Sequence, residues 1–200
     1  TFSWTPSLPG PATIKVRGYD DSGNMGVPGA SGSSSNINVT IGGAAPTCPC
    51  SIFPSSITPQ LPLDNDAQAI EVGVKFRSAQ AGYITGVRFW KGGTANSGVH
   101  IGHLWSSTGT KLGEATFTGE TASGWQQVLF TTPVAVAINT TYVASYFSSA
   151  GYYAITNPYF TTAVVNGPLT ALANGTDGGN GVYIYSAASA FPVNTFQTSN

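Results

Sequence analysis

Charge is what this sequence has least of. Only 8% of its 200 residues are Asp, Glu, Lys or Arg, against roughly 25% in an ordinary soluble domain. The net charge of -1 comes with no basic stretch, so nothing draws the chain to nucleic acid or to anionic lipid. No apolar run approaches the roughly 18 residues that cross a bilayer, which speaks against membrane insertion. Thr1 opens no secretory leader, and the chain reads as a processed piece of something longer. Cysteine is nearly absent. Cys48 and Cys50 stand alone in TCPCSIF, with no second Cys or His pair nearby to complete a metal site. They read as a local or intermolecular disulfide, with a spare thiol pair as the other reading. Catalytic signatures are missing too: there is no G-x-S-x-G elbow, no phosphate-binding loop and no H-E-x-x-H. The eight acids offer no obvious pair at the ends of adjacent strands, as glycoside hydrolysis needs. An enzyme is not expected.

Glycine (25), proline (13) and abundant Ser, Thr and Asn are present instead, which means many turns and few long helices. The clearest order runs from Ile70 to Trp105. Ile70, Val72, Val74 and Phe76 alternate with Glu71, Gly73, Lys75 and Arg77, the period-two mark of a strand with one dry face. YITGVRFWKG and VHIGHLW follow in the same style. If Phe76, Phe89 and Leu104 mark the buried side, the opposite side carries Arg77, Arg88, Trp90, His103 and Trp105. Indole rings beside guanidinium and imidazole groups suit a sugar, whose C–H faces stack while its hydroxyls seek hydrogen bonds. This set is the candidate ligand-binding face. The competing reading packs Trp105 and Trp125 between sheets, where large aromatics of sandwiches usually sit. Tyr152, Tyr153 and Tyr159 form a second candidate platform in loops. His100 and His103 fall on opposite faces by parity and cannot share a metal.

LDNDAQAIE places Asp64, Asn65, Asp66 and Glu71 close together, hard oxygen groups of the kind calcium takes. They are the candidate ligands of a structural calcium, although the EF-hand spacing is not met. The alternative leaves Asp64 and Asn65 in a turn and Glu71 solvated on the outer face of its strand. DGGNG, from Asp177, reads mainly as a glycine-rich turn.

Three parts follow from these patterns. Residues 1–43 hold three short strand runs, around Trp4, Ile14–Val16 and Ile37–Ile41. The sequences W-T-P, T-I-K-V-R and D-D-S-G-N resemble the last strands of bacterial immunoglobulin-like repeats, whose sandwich needs about seven strands. This part is therefore expected to be a partial Ig-like sheet. Residues 44–68, with prolines at 46, 49, 54, 59 and 62, read as a stiff connector. Residues 69–200 hold a series of strand runs without helical periodicity, expected to form an all-β, antiparallel, jelly-roll-like sandwich. The stretches CPCSIF, IEVGVKFRS, GYITGVRFWKG, GHLWSSTGTKL, ATFTGETASGWQQVLF, TTYVASYF, DGGNGVYIY and FPVNTF look like a bacterial domain-of-unknown-function family. That family is found beside Ig-like repeats in exported proteins and in some glycoside hydrolases. The resemblance spans roughly residues 48–196 and implies a non-catalytic, extracellular accessory module with a carbohydrate-binding-module-like sandwich. Members of that family usually continue beyond F-P-x-N into a further strand, so both ends of the chain read as truncated. Function is therefore expected to be binding or adhesion on a secreted or bacterial surface protein, with a glycan or cell-surface polymer as partner. The rival expectation is a fibre or stalk subunit whose copies exchange β-strands.

Overall fold

The computed structural model describes residues 10–17 and 34–41 by their backbone and residues 48–197 in full. It divides the chain into two compact units, Thr1–Thr47 and Cys48–Asn200. In the first unit, β1 (Gly10–Arg17) and β2 (Ser34–Ile41) pair antiparallel, with Ile14 opposite Ile37 and Arg17 opposite Ser34. These are two of the three strands expected there. The run around Trp4 lies outside the described residues.

The second unit is all-β, and no helix occurs among the described residues. Its long strands are β3 (Ile70–Ser78), β4 (Gly82–Lys91), β5 (His100–Ser106), β6 (Lys111–Thr116), β7 (Gly124–Val136) and β8 (Tyr142–Ser148). Shorter strands follow: β9 (Val164–Asn166), β10 (Leu169–Ala171), β11 (Val182–Tyr185) and β12 (Asn194–Thr195). Long strands pair first with last and then inward: β3 with β8, β4 with β7, β5 with β6. That nesting wraps one long hairpin into a jelly-roll-like sandwich. One layer is an eight-stranded sheet in the order β12-β11-β3-β8-β5-β6, with β10 and β9 added beside β3; the other layer is β4-β7 alone.

The alternation read from the sequence accounts for the core. Phe76 of β3, Leu104 of β5 and Tyr142 of β8 point inward from the large sheet and meet Val87, Phe130 and Val136 of the small one. A second cluster stacks Phe89 on Tyr146 at 4.3 Å, with Phe117 edge-on to Phe89 at 4.8 Å. Small residues let the layers close. A Cβ on Gly102 would come within 3.1 Å of Val87 and 3.2 Å of Phe117.

The proline-rich stretch departs from the expected connector. From Cys48 onward it packs on the sandwich. Cys48 and Cys50 form a disulfide, and Cys50 and Ile52 lie against the first core cluster. Asn166 Nδ2 donates to the Ser51 carbonyl (2.8 Å), and Leu61 bridges to Ile155. The reason is the apolar content between the prolines: Ile52, Phe53, Ile57, Leu61 and Leu63 give the segment area to bury. Its prolines lack amide donors and keep the pairing sparse.

The run GYYAIT contributes only the Ile155 bridge. Gly151 and Tyr152 both hold positive φ, 73° and 53°, which turns the chain out of extended geometry. A Cβ on Gly151 would sit 2.3 Å from the Asp66 carbonyl, so the close approach of these two loops also calls for glycine.

Candidate functional site

The expected ligand face does not assemble. Within each strand the parity is as read, since Phe76, Phe89 and Leu104 are all buried inward. But β4 belongs to the small sheet and β3 and β5 to the large one. Arg88 and Trp90 therefore lie on the outer side of one layer, and Arg77, His103 and Trp105 on the outer side of the other. Alternation tells which residues share a side of a strand; it does not tell which layer the strand joins.

Nor is the outer side of the large sheet open where His103 and Trp105 stand. Trp105 is only 6% exposed and clusters with Val143 and Val182, under Phe191, whose ring meets the indole at 5.7 Å. Trp105 Nε1 donates to Ser145 Oγ (2.7 Å), and Ser145 Oγ donates to Glu71 Oε1 (2.6 Å). Glu71 Oε1 also meets His103 Nδ1 at 2.8 Å, while His103 Nε2 faces Glu114 Oε2 at 3.2 Å. Glu71 and His103 are both sealed from solvent, which removes Glu71 from the calcium set and from the solvated alternative alike. A buried carboxylate persists only when paired and hydrogen-bonded, and this one ties β3, β5 and β8 together. Arg77 sits apart from this network, with Nε donating to Thr141 Oγ1 (2.8 Å) and the guanidinium 3.4 Å from Asp177.

Arg88 and Trp90 serve the packing of the proline-rich segment. The Arg88 guanidinium lies 4.3 Å over the Trp125 ring and donates to Ser51 Oγ and Ser55 Oγ at 3.3 and 3.4 Å. Trp125 Nε1 donates to the Ile57 carbonyl (3.2 Å), Phe53 stacks on Trp125 at 6.4 Å, and Trp90 stands edge-on to Trp125 at 5.6 Å. Desolvation lowers the Arg88 guanidinium from its ordinary value. Cation–π and hydroxyl contacts replace the water it gives up.

A different set of groups converges near the start of β3. The Asp64 amide donates to the Tyr153 carbonyl (2.8 Å) and the Tyr152 amide to the Asp66 carbonyl (2.6 Å). These two bonds draw the two loops together. The Tyr185 hydroxyl donates to Asp66 Oδ2, and Asp66 Oδ1 accepts from the Gln68 amide at 3.0 Å. Tyr183 lies edge-on to Tyr185 at 5.7 Å. Burial, with the negative charge of Asp64 and Asp66 among its further causes, raises the Tyr153 phenol above its ordinary value. The hydrogen bond to Asp66 is the first cause that raises the Tyr185 phenol. Tyr185 keeps 42% of its surface exposed, and Tyr153, Tyr183, Asp64 and Asp66 are half-buried. Of the expected groups, this cluster gathers Tyr152 and Tyr153 from the second platform and Asp64 and Asp66 from the calcium set; Asn65 is exposed in the same loop. Tyr159 is elsewhere, edge-on to Phe53 at 5.8 Å. Among the described residues no group of three or more His, Cys, Asp and Glu is placed to hold a metal ion. Sequence reasoning missed Tyr183 and Tyr185, although VYIY puts them on one side of β11 by the same parity.

Residues 56–200 match the family model described as a domain of unknown function (DUF4082). The chain belongs to that family. No curated protein matches the chain. The match to DUF4082 begins inside the proline-rich stretch that the structure packs on the sandwich, rather than at β3.

The imidazole of His100 is a titrating group in the core of the DUF4082 domain. His100 sits against Phe89 (4.7 Å), with Nδ1 on Glu120 Oε1 (2.8 Å), and Glu120 Oε2 holds Lys91 Nζ at 2.6 Å. Burial, outweighing Glu120, lowers the imidazole from its ordinary 6.5. A depressed histidine stabilises the fold above the unfolded value, and that contribution is lost as pH falls through the folded value. The urea midpoint is therefore expected to begin falling below pH 6.5. Glu114 and Asp177, whose carboxyls are lowered from 4.5 and 3.8, give up their contribution only at more acid pH. His100→Gln should flatten the first step; a wild-type midpoint unchanged until the carboxylates titrate would contradict this assignment.

Proposed function

We propose that this DUF4082 domain is a non-catalytic binding module of an exported bacterial protein and that its ligand is a glycan, held at the Tyr153–Tyr183–Tyr185–Asp64–Asp66 cluster. The observation that carries this reading is the convergence of three phenol rings and two carboxylates at a partly open surface. Aromatic rings offer flat apolar area to sugar C–H faces, and carboxylates accept from sugar hydroxyls. The scarcity of charge and the disulfide at Cys48–Cys50 suit an oxidising, extracellular setting. An Ig-like neighbour in residues 1–43 and a likeness to carbohydrate-binding modules belong to the same proposal. Calorimetric titration with an oligosaccharide panel tests it. Tyr185→Ala should weaken binding at least about tenfold, on the order of 1.4 kcal/mol, while Tyr83→Ala, exposed on β4, leaves it unchanged. Silence of the wild-type chain toward the whole panel would end the glycan reading.

A structural calcium at the Asp64–Asn65–Asp66 loop is kept as part of this proposal, reduced to those three residues. Its measure is the melting midpoint with and without chelator: a lower midpoint on chelation is expected, and no shift would remove the metal.

One observation favours the rival reading, a fibre or stalk subunit assembled by strand donation. The small sheet consists of β4 and β7 alone, and among the described residues no further strand pairs with either, leaving main-chain edges of the kind that accept a strand. Solution mass decides it. Assembly that grows with concentration supports strand donation, and a monomer throughout excludes it.

A further inference from the structure

Most charged side chains of the second unit pair off. Glu71 faces His103, Glu114 holds Lys111 and His103, Glu120 holds Lys91 and His100, and Asp177 meets Arg77. The remaining cations are engaged as well: Lys75 Nζ donates to the Asp177 carbonyl (2.7 Å), and Arg88 lies on Trp125 between two serine hydroxyls. Asp64 and Asp66 are left. Among the described residues neither meets a lysine, arginine or histidine, and their loop is tied to Tyr153 by the bond from the Asp64 amide to its carbonyl. Among the described residues the Asp66 carboxylate oxygens accept from the Tyr185 hydroxyl and the Gln68 amide. Negative charge without a lysine or arginine partner therefore coincides with the tyrosine platform.

We infer that the platform selects a ligand carrying positive charge, and that among glycans its class is the amino sugars with a free amine: a glucosamine unit rather than its N-acetyl or uronate counterpart. The inference rests on the glycan reading of the same cluster. A sugar ammonium beside Asp64 and Asp66 supplies the missing partner, and the face of a tyrosine ring attracts the same cation through its quadrupole. A uronate brings a third negative charge to a place with no cation, and like charges disfavour it. An N-acetyl group cancels the ammonium and leaves the stacking unchanged.

The test titrates the full chain, at mildly acidic pH and with chelator present, against three oligosaccharides of equal length: fully deacetylated glucosamine, N-acetylglucosamine and galacturonate. The deacetylated oligomer is expected to bind several-fold to about tenfold tighter than the acetylated one, the sum of a partly exposed ion pair and a cation–π contact. That margin should shrink with added salt, and galacturonate should bind least. The double variant Asp64→Asn/Asp66→Asn, checked for an unchanged unfolding midpoint, should erase the margin between the deacetylated and acetylated oligomers, whatever it costs the affinity for both. Equal affinities, preference for galacturonate, or a margin that survives the double variant would overturn the inference while leaving the glycan reading standing. Absence of binding by all three with chelator, restored by calcium, would overturn it in favour of a metal as the positive charge. Absence of binding under both conditions would remove the inference and the glycan reading together.

Discussion

The buried Glu71 carboxylate is the constraint on which the second unit turns. It lies on the side of β3 that simple alternation assigns to water, yet it is sealed and hydrogen-bonded to Ser145 and His103, with Trp105 joined through Ser145. A charge in that place is tolerable only with its partners in position. A slip of one residue between β3 and β8 would turn Glu71 toward Phe76 and Leu104 and leave His103 opposite nothing. The polar network thus specifies the register of three strands, while the apolar clusters between the layers supply the burial.

With both sides of the large sheet occupied over its central strands, little of that sheet is left to recognise anything. The inner side meets β4 and β7, and the outer side carries the Glu71 network and the Trp105 cluster with Phe191. The outer side of the small sheet is used by the segment from Ser51 to Ile57 through Arg88 and Trp125. Ligand-accessible polar and aromatic groups then gather at a rim, where the Asp64–Gln68 loop and the Gly151–Tyr153 loop meet β11. The positive φ of Gly151 and Tyr152 brings those loops within hydrogen-bonding reach of each other, so a local backbone feature sets up the convergence of tyrosines and carboxylates.

How much of this was legible in the sequence follows from what periodicity encodes. The strands at 70–78, 82–91 and 100–106, their dry sides and the all-β sandwich could be read from alternation alone. The layer of each strand could not, because it depends on which strand each hairpin meets in space; alternation groups Trp90 with Trp105, yet they lie on opposite outer sides. The burial of Glu71, by sequence a candidate calcium ligand or else a solvated residue, is not legible because its partners, His103 and Ser145, are 32 and 74 positions away. The proline-rich run resembled a linker because proline count hides the apolar residues between. Tyr183 and Tyr185 were readable as a pair on one side of a strand, but their meeting with Asp66 is a tertiary event, 119 positions apart in the chain.

The most direct measurement is a map of backbone amide shifts in the full chain on adding a deacetylated glucosamine oligomer. Binding at the rim predicts perturbations concentrated in 64–68, 151–153 and 182–185, with the amides around Trp90, Trp105 and Trp125 unmoved. Perturbations centred on the Trp90–Trp125 strands, or none at saturating sugar, would contradict a ligand site at the tyrosine–carboxylate cluster.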